Sequence, residues 1–220
     1  WKVGGHGVVD MRRSISQSCD IYYYRLAVDM GIDRMHDYLA KFGLGEKTGI
    51  DLDGESSGLL PSRDWKQRRW KKPWYPGETV IAGIGQGYHL TTPLQLAAAT
   101  AMLANGGKRI EPRLVQAVRD PLSHVWQPQP GAARGQLAID PANLEVVRAG
   151  MMDVMRPGGT AAAAAAGAPY TIAGKTGTAQ VVGIKQGARY EASTLSRKYR
   201  DHALFIAYAP AENPTIAVAV

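Results

Sequence analysis

Apolar and polar residues recur with a helical period over several stretches of the chain, and the clearest stretch predicts a helix over Pro93–Ala104. Thr92 is a good N-cap, Pro93 suits the first helical turn, and Gln95 completes a capping box. The same period predicts further helices at residues 11–17, 21–30 and 33–43, and from residue 141 to at least residue 154. The chain is therefore expected to contain at least five helices.

Strand-like alternation is concentrated near the end of the sequence and predicts an antiparallel meander. Its three strands are expected at residues 171–182, 203–209 and 215–220. Further short strands are predicted at residues 49–52, 113–119 and 125–126, the last two as a hairpin. Helices that precede an antiparallel meander indicate the α+β class.

Composition gives the chain one sizeable core and a positive charge. It has 220 residues, 45% of them hydrophobic, and a formal net charge of +7, which would suit nucleic acid, an anionic surface or an acidic substrate. Cys19 is the single cysteine, so an internal disulfide is excluded, and no apolar run approaches the length of a membrane span. The six alanines at residues 161–166 are expected to be a spacer.

The segment Gly54-Glu55-Ser56-Ser57-Gly58 formally matches the nucleophile elbow G-x-S-x-G. That motif requires a strand before the serine and a helix immediately after it. Pro61 disfavours a helix at this point, because a proline restricts the residue before it to extended conformations. A surface turn is therefore the favoured interpretation of Ser56.

Residues 63–75 form a basic stretch in which Trp65, Trp70 and Trp74 alternate with lysines and arginines. Such interleaving can stack single-stranded bases and neutralise phosphates. The competing interpretation is a solvated loop whose tryptophans pack on the domain, and it is favoured because no nucleic-acid fold signature accompanies the stretch. A loop without a nucleic-acid partner is therefore predicted.

The run "YTIAGKTGTAQVVG" places one lysine and an interior glycine in a predicted strand. A buried ammonium is costly unless it is paired, and glycine weakens a strand. Both features fit a ligand that lies along the strand: Gly177 would admit a foreign backbone, while Lys175, Thr176 and Thr178 would meet an anionic group. An edge strand with a solvated lysine is the alternative.

Two triplets in the chain fit known motifs. Ser18-Cys19-Asp20 and Lys175-Thr176-Gly177 correspond to S-D-N and K-T-G, which accompany S-x-x-K in penicillin-binding proteins and class A β-lactamases. Longer blocks extend the match: "GHGVVDMRRSISQSCDIYYYRLA", "FGLGEKTGIDLDGESSGLLP", "WKKPWYPGET", "GIGQGYHLTTPLQLAAATAMLANGG" and "AGKTGTAQVVG". On these residues the chain closely resembles the transpeptidase domain of class B penicillin-binding proteins, and the elongation type above all.

Two departures from the family pattern matter. Asp20 stands where the middle motif usually ends in asparagine. In addition, no serine or threonine of the chain is followed three residues later by lysine. The nucleophile and its base are therefore expected upstream of Trp1, and residues 1–220 are expected to be the C-terminal part of a single transpeptidase domain, incomplete at both ends.

The resemblance implies a fold shared by penicillin-binding proteins and serine β-lactamases, an α+β transpeptidase fold in which helices flank an antiparallel sheet. It implies a D,D-transpeptidase that cross-links peptidoglycan stem peptides during cell-wall elongation through an acyl-serine intermediate, without a catalytic cofactor, and that β-lactam antibiotics inhibit. The alternatives are a serine β-lactamase-type hydrolase and a non-catalytic domain of the same fold. Implied partners are a RodA-type glycosyltransferase and an MreC-type scaffold, at the periplasmic face of the bacterial inner membrane, with the anchoring transmembrane helix outside these residues.

The resemblance also assigns roles to single residues. Ser18 would relay a proton to the leaving D-alanine nitrogen, Asp20 would hold that network and contact the substrate amide, and Lys175 would supply positive charge. The substrate-binding residues would be Thr176, Gly177 and Thr178. The two threonines would bind the terminal carboxylate of the stem peptide, and the Thr178 N–H would form half of the oxyanion hole.

A metal site is the last candidate. His6 and Cys19 lie thirteen residues apart, on either side of the first predicted helix. The spacing fits no zinc finger, and a lone cysteine is usually a buried small hydrophobe. The resemblance nevertheless implies a structural zinc near this helix, bound by His6, Cys19 and aspartates from upstream.

Overall fold

Seven α-helices and seven strands are formed by the residues that the computed structural model describes, which are 4–181, 193 and 195–220. The helices are α1 (Met11–Ser16), α2 (Asp20–Met30), α3 (Ile32–Ala40), α4 (Arg63–Trp70), α5 (Pro76–Ala82), α6 (Pro93–Ala104) and α7 (Pro141–Val154). The strands are β1 (Lys108–Ile110), β2 (Ala117–Arg119), β3 (Trp126–Pro128), β4 (Ala133–Gln136), β5 (Ala173–Ala179), β6 (His202–Ala209) and β7 (Ile216–Ala219). Short 3-10 helices occur at Ala162–Ala165 and Arg197–Tyr199. The predicted α+β class is confirmed.

The predicted C-terminal meander is present as the sheet β5-β6-β7, in which both pairs of neighbours are antiparallel. β5 occupies Ala173–Ala179, a shorter span than the predicted 171–182, and Val182 lies outside the described residues. The predicted hairpin is also present, as the antiparallel pair β2-β3, and β1 pairs with β4. The sheet β5-β6-β7 matters most here, because it carries Lys175.

The largest buried cluster joins α1 and α7 to this sheet. Ile15 of α1, Met151 and Val154 of α7, Ala173 of β5 and Tyr208 of β6 are all buried in it. Full burial of one large apolar side chain stabilises a fold by about 1.5–3 kcal/mol. The cluster therefore fixes the end of α1 against the start of β5, although the two segments are far apart in sequence.

Residues 63–75 are not the predicted loop, because residues 63–70 form α4. The Ser62 hydroxyl caps this helix by accepting a hydrogen bond of 3.1 Å from the Trp65 N–H. The Lys66 side chain is only 3% exposed and forms an ion pair with Glu78 of α5, a helix that the sequence pattern did not predict. Lys66 is therefore not solvated, as the loop prediction implied, but is buried against Glu78.

The predicted strand at residues 49–52 is also wrong. The Asp51 carboxylate accepts hydrogen bonds from the N–H groups of Leu114 and Val115, at 2.6 and 2.9 Å. A side chain thus satisfies the N–H groups of residues 114 and 115, and β2 begins only at Ala117 instead of at the predicted residue 113. The alanine tract is partly ordered as the 3-10 helix Ala162–Ala165.

Candidate active site

Ser18 lies at a tight helix end with an unusual backbone. After α1, the Ser18 N–H donates to the Ile15 carbonyl (3.3 Å) and the Cys19 N–H donates to the Ser14 carbonyl (2.9 Å). This pair of bonds defines a Schellman motif, whose left-handed position is usually glycine. Ser18 occupies that position with φ of +50°, which is strained for a residue with a Cβ. Strain of this kind is concentrated at functional sites.

Lys175 lies in β5 and reaches across to this helix end. Its ammonium donates a hydrogen bond to the Ser18 hydroxyl and another to the Thr176 carbonyl at 2.8 Å. Burial lowers the pKa of Lys175 from its ordinary value, and the negative charge of Asp20 opposes that shift. The structure therefore brings together Ser18, Asp20 and Lys175, which the sequence analysis grouped as catalytic candidates.

Thr176 and Thr178 present their main-chain groups to the outer edge of β5. Phe205 of β6 exchanges both of its main-chain hydrogen bonds with Val220, at 2.8 and 2.9 Å, so its N–H and C=O face away from β5. Phe205 is the register partner of Thr176. Because the pattern alternates along an antiparallel pair, the main-chain groups of Thr176 and Thr178 face away from β6. Among the described residues no strand pairs with that edge, so an extended ligand can bind along it.

The two glycines of β5 have different surroundings. A Cβ at Gly174 would lie 2.7 Å from the Phe205 ring and 3.0 Å from Met155 Sδ, so a larger residue there would have to displace these packed side chains. A Cβ at Gly177 would meet, among the described residues, only Leu204 Cβ at an ordinary 3.4 Å. The Gly177 backbone is not in the left-handed region either. Neither the packing nor the backbone conformation requires glycine at position 177, and the predicted close approach of a ligand stays a prediction.

Two further residues contact this edge and were given no role by the sequence analysis. Thr160 Oγ1 lies 3.0 Å from Thr176 Oγ1, and Gln86 Nε2 donates to the Thr178 carbonyl at 3.4 Å. Thr160 precedes the alanine tract that was interpreted as a spacer, and Gln86 lies in the quoted block "GIGQGYHL". The sequence signal for these two segments is weak: paired glycines precede Thr160 and glycines flank Gln86, which indicates tight turns but no contact with β5.

The metal candidates His6 and Cys19 line one hollow of about 980 Å³, together with Asp20. Cys19 is 5% exposed, and His6 is half-buried. Within residues 4–181, 193 and 195–220, however, no cluster of three or more histidine, cysteine or acidic side chains could hold a metal ion. The structure thus brings two candidate ligands to one place without completing a site from the residues it describes.

Ser56, the serine of the G-x-S-x-G match, is exposed and forms a local turn, as the sequence analysis favoured. The Ser56 hydroxyl accepts a hydrogen bond from the Gly58 N–H at 3.2 Å. Leu59 then pairs with Leu90 in an isolated bridge, and α4 does not begin until Arg63. No helix follows Ser56 directly, so the geometry that a nucleophile elbow requires is missing.

The chain is similar in sequence to proteins named peptidoglycan D,D-transpeptidase MrdA. Peptidoglycan D,D-transpeptidase MrdA of Escherichia coli strain K12 is 45% identical over 222 residues, which cover 100% of this chain and 35% of that protein. MrdA of Acinetobacter baumannii is 44% identical over 223 residues, which cover 100% of this chain and 32% of that protein. The chain thus spans about a third of the length of these relatives.

Solved structures of PBP2 proteins are similar to this chain in both fold and sequence. PBP2 of Pseudomonas aeruginosa, in complex with WCK 5153, matches with a TM-score of 0.83 and 43% identity, over 100% of this chain and 45% of that one. PBP2 of Helicobacter pylori, in complex with MreC, matches with a TM-score of 0.80 and 32% identity, over 100% of this chain and 37% of that one. The predicted fold and the resemblance to elongation-type proteins are confirmed. Since the family model described as the penicillin binding protein transpeptidase domain matches residues 1–220, the chain belongs to that family.

Proposed function

We propose that this chain carries the substrate-binding strand and the proton-relay residues of a peptidoglycan D,D-transpeptidase that acts in cell-wall elongation. The single observation that carries the proposal is the hydrogen bond from the Lys175 ammonium to the Ser18 hydroxyl, between residues 157 positions apart in sequence. The names of the relatives support the reaction class. We further propose that residues 1–220 are the C-terminal part of one transpeptidase domain, because no S-x-x-K motif occurs in them.

The substrate is a stem peptide that ends in D-Ala-D-Ala and adds as a strand to the free edge of β5. Its terminal carboxylate accepts hydrogen bonds from the hydroxyls of Thr176 and Thr178, and the charge of Lys175 strengthens this recognition. Because Gly177 has no side chain, the peptide backbone can approach β5 closely at this residue. The Thr178 N–H, which faces this edge, donates to the oxyanion that develops on the scissile carbonyl.

Proton transfer runs through Ser18. Its hydroxyl accepts from Lys175, so its own hydrogen is free to go to the departing D-alanine nitrogen. A base outside these residues takes the proton of the nucleophilic serine and, once protonated, passes it to the Ser18 oxygen. Asp20 favours the charged form of Lys175, which keeps that donor in place. The acyl group is held on a serine outside these residues, and an amine of a neighbouring stem peptide then attacks it. A β-lactam would stop at the acyl stage.

The proposal extends to partners and location. PBP2 of Helicobacter pylori has been solved with MreC, which supports an MreC-type scaffold as a partner here. A RodA-type glycosyltransferase and the periplasmic face of the inner membrane complete the proposal. No helix in the described part of the chain has the length and apolar character needed to cross a membrane.

A structural zinc is the proposed metal. The thiolate of Cys19 and the imidazole of His6 fit zinc chemically, and both side chains line the same hollow. Two aspartates outside this chain would complete four ligands. The bound ion would tie the Ser18 helix end to that outside segment and would take no part in acyl transfer.

The test of function is acylation of the full-length protein by a labelled penicillin. Lys175→Ala should lower the second-order acylation rate about a hundredfold or more, because a preorganised charge at the cleft is lost. Lys175→Arg is the matched control, since it keeps the charge but not the compact ammonium that reaches Ser18. If Lys175→Ala acylates at the wild-type rate, β5 does not line the substrate site and the proposal fails.

A further inference from the structure

The turn after α7 brings a second hydroxyl to the side chain of Thr176. Thr160 Oγ1 lies 3.0 Å from Thr176 Oγ1. The Thr160 N–H donates to the Ser16 carbonyl at 3.3 Å, and the next N–H, of Ala161, donates to the Val154 carbonyl at 2.9 Å. The turn is thus bonded to the ends of both α1 and α7, so the backbone that carries the Thr160 side chain is fixed next to β5.

Gly159 makes the turn still less adaptable. A Cβ at this position would collide with the carbonyl oxygens of Asp153 and Val154. The Gly159 N–H also donates to the Arg156 carbonyl at 2.9 Å. Only glycine therefore fits immediately before Thr160, and the chain leaves α7 by a path that directs Thr160 at β5.

The bond between the Thr160 and Thr176 hydroxyls can have either threonine as its donor. A threonine hydroxyl has one hydrogen to donate and two sites that accept. Lys175 Nζ, 3.5 Å from Thr176 Oγ1, can only donate, so it never takes the Thr176 hydrogen. That hydrogen goes either to Thr160 or into the cleft. It is available to an anion in the cleft only when Thr160 is the donor of the bond between the two threonines.

We propose that Thr160 is a positioning residue, which donates its hydroxyl hydrogen to Thr176 and thereby turns the Thr176 O–H toward the carboxylate of the substrate. The inference rests on the proposed function, because it requires an anionic ligand at the free edge of β5. Two hydroxyl donors in series polarise each other, so the bond to the carboxylate is stronger than Thr176 alone would make. Thr160 acts through Thr176 and belongs to the recognition of the carboxylate rather than to proton transfer.

The experiment compares Thr160→Val with Thr160→Ser in the full-length protein. Both variants should melt like the wild type, because Thr160 is exposed. Thr160→Val, which has the same shape without the donor, should lower the second-order rate of acylation by benzylpenicillin about tenfold. Thr160→Ser should stay near the wild-type rate. With benzylpenicillin methyl ester, which has no carboxylate, the wild type and Thr160→Val should react at equal rates.

A structural role would give a different pattern. Loss of rate toward acid and ester alike, or an equal loss in Thr160→Ser, would overturn the inference. In the background of Thr176→Val, adding Thr160→Val should cause no further loss, because the hydroxyl that it orients is gone. Thr176→Val and Lys175→Ala also distinguish a failure of the proposed function from a failure of the role of Thr160. If both react like the wild type, the proposed function fails; if both are slow while Thr160→Val is fast, this inference alone fails.

Discussion

At the scale of single residues, Ser18 combines a strained backbone with the hydroxyl that the proposed relay needs. Ser18→Gly removes the Cβ at φ of +50°, whereas Ser18→Ala removes only the hydroxyl. Both lose the acceptor of Lys175, so their difference isolates the strain. Ser18→Gly should be about 1 kcal/mol more stable than Ser18→Ala, measured by thermal unfolding. Both should acylate about a hundredfold more slowly than the wild type. Equal stability of the two would show that the left-handed conformation carries no strain.

The two glycines of β5 supply a matched pair of a different kind. Gly177→Ala should leave the melting temperature unchanged, because its Cβ would meet Leu204 at an ordinary 3.4 Å, but it should slow acylation by a penicillin. Gly174→Ala should instead lower the free energy of unfolding by about 1–3 kcal/mol, since its Cβ overlaps the Phe205 ring. A Gly177→Ala variant with wild-type acylation would mean that no ligand passes close to this residue.

At the scale of elements, one buried ion pair holds α4 to α5. Lys66 Nζ pairs with Glu78, lies 4.2 Å from the centre of the Tyr75 ring, and is almost fully enclosed. Glu78 also accepts from the Tyr75 N–H (2.7 Å) and from the Tyr88 hydroxyl (3.1 Å). Burial opposes ionisation of Glu78, but the bonds from Lys66, Tyr75 and Tyr88 outweigh it and hold its pKa below the ordinary value. α5 leads to the turn from which Gln86 contacts β5.

Breaking this pair from one side should be costly. Lys66→Met leaves a carboxylate without its partner and should lower the free energy of unfolding by about 3–5 kcal/mol. Adding Glu78→Gln, which keeps an acceptor for the helix cap, should recover part of that loss. Glu78 stabilises the fold fully above its ordinary pKa of 4.5, and this contribution is lost as the pH falls through the lowered pKa of the folded state. Urea titrations between pH 7 and pH 3 should therefore show the wild type losing its advantage over the double variant. A pH-independent difference would contradict the role of the pair.

The same elements show what the sequence could reveal. α6 matched its prediction at both ends, because Thr92 and Gln95 form the capping box that their spacing predicts. α4 did not, since the burial of Lys66 depends on Glu78, a partner that local periodicity cannot identify. Likewise, Lys175 could be singled out as an unusual charge in a strand, but its contact with Ser18 depends on the packing of α1 and α7 against β5. The contacts of Gln86 and Thr160 with β5 are long-range in the same way.

At the scale of the whole molecule, the candidate site lies where segments from both ends of the chain meet. Ile15, three residues before Ser18, and Ala173, two residues before Lys175, are buried in one cluster together with Val154. Ser18 and Lys175 therefore each follow closely on a residue that is buried in this cluster. Among the described residues, the Ser18 helix end is packed against this core on one side only. On the opposite side His6 and Cys19 line a hollow, so fewer packing contacts stabilise the helix end there.

Metal removal tests whether an ion stabilises that side. In the full-length protein we expect about one equivalent of zinc by elemental analysis, lost in Cys19→Ala and His6→Ala. His202→Ala, at an exposed histidine at the start of β6, is the matched control and should keep the metal. Chelation should lower the melting temperature, because the ion binds the folded state, while acylation measured well below that temperature changes little. The competing interpretation is that Cys19, 5% exposed, is simply packed. Less than about a tenth of an equivalent in the wild type, with melting unchanged by chelation, would establish that interpretation instead.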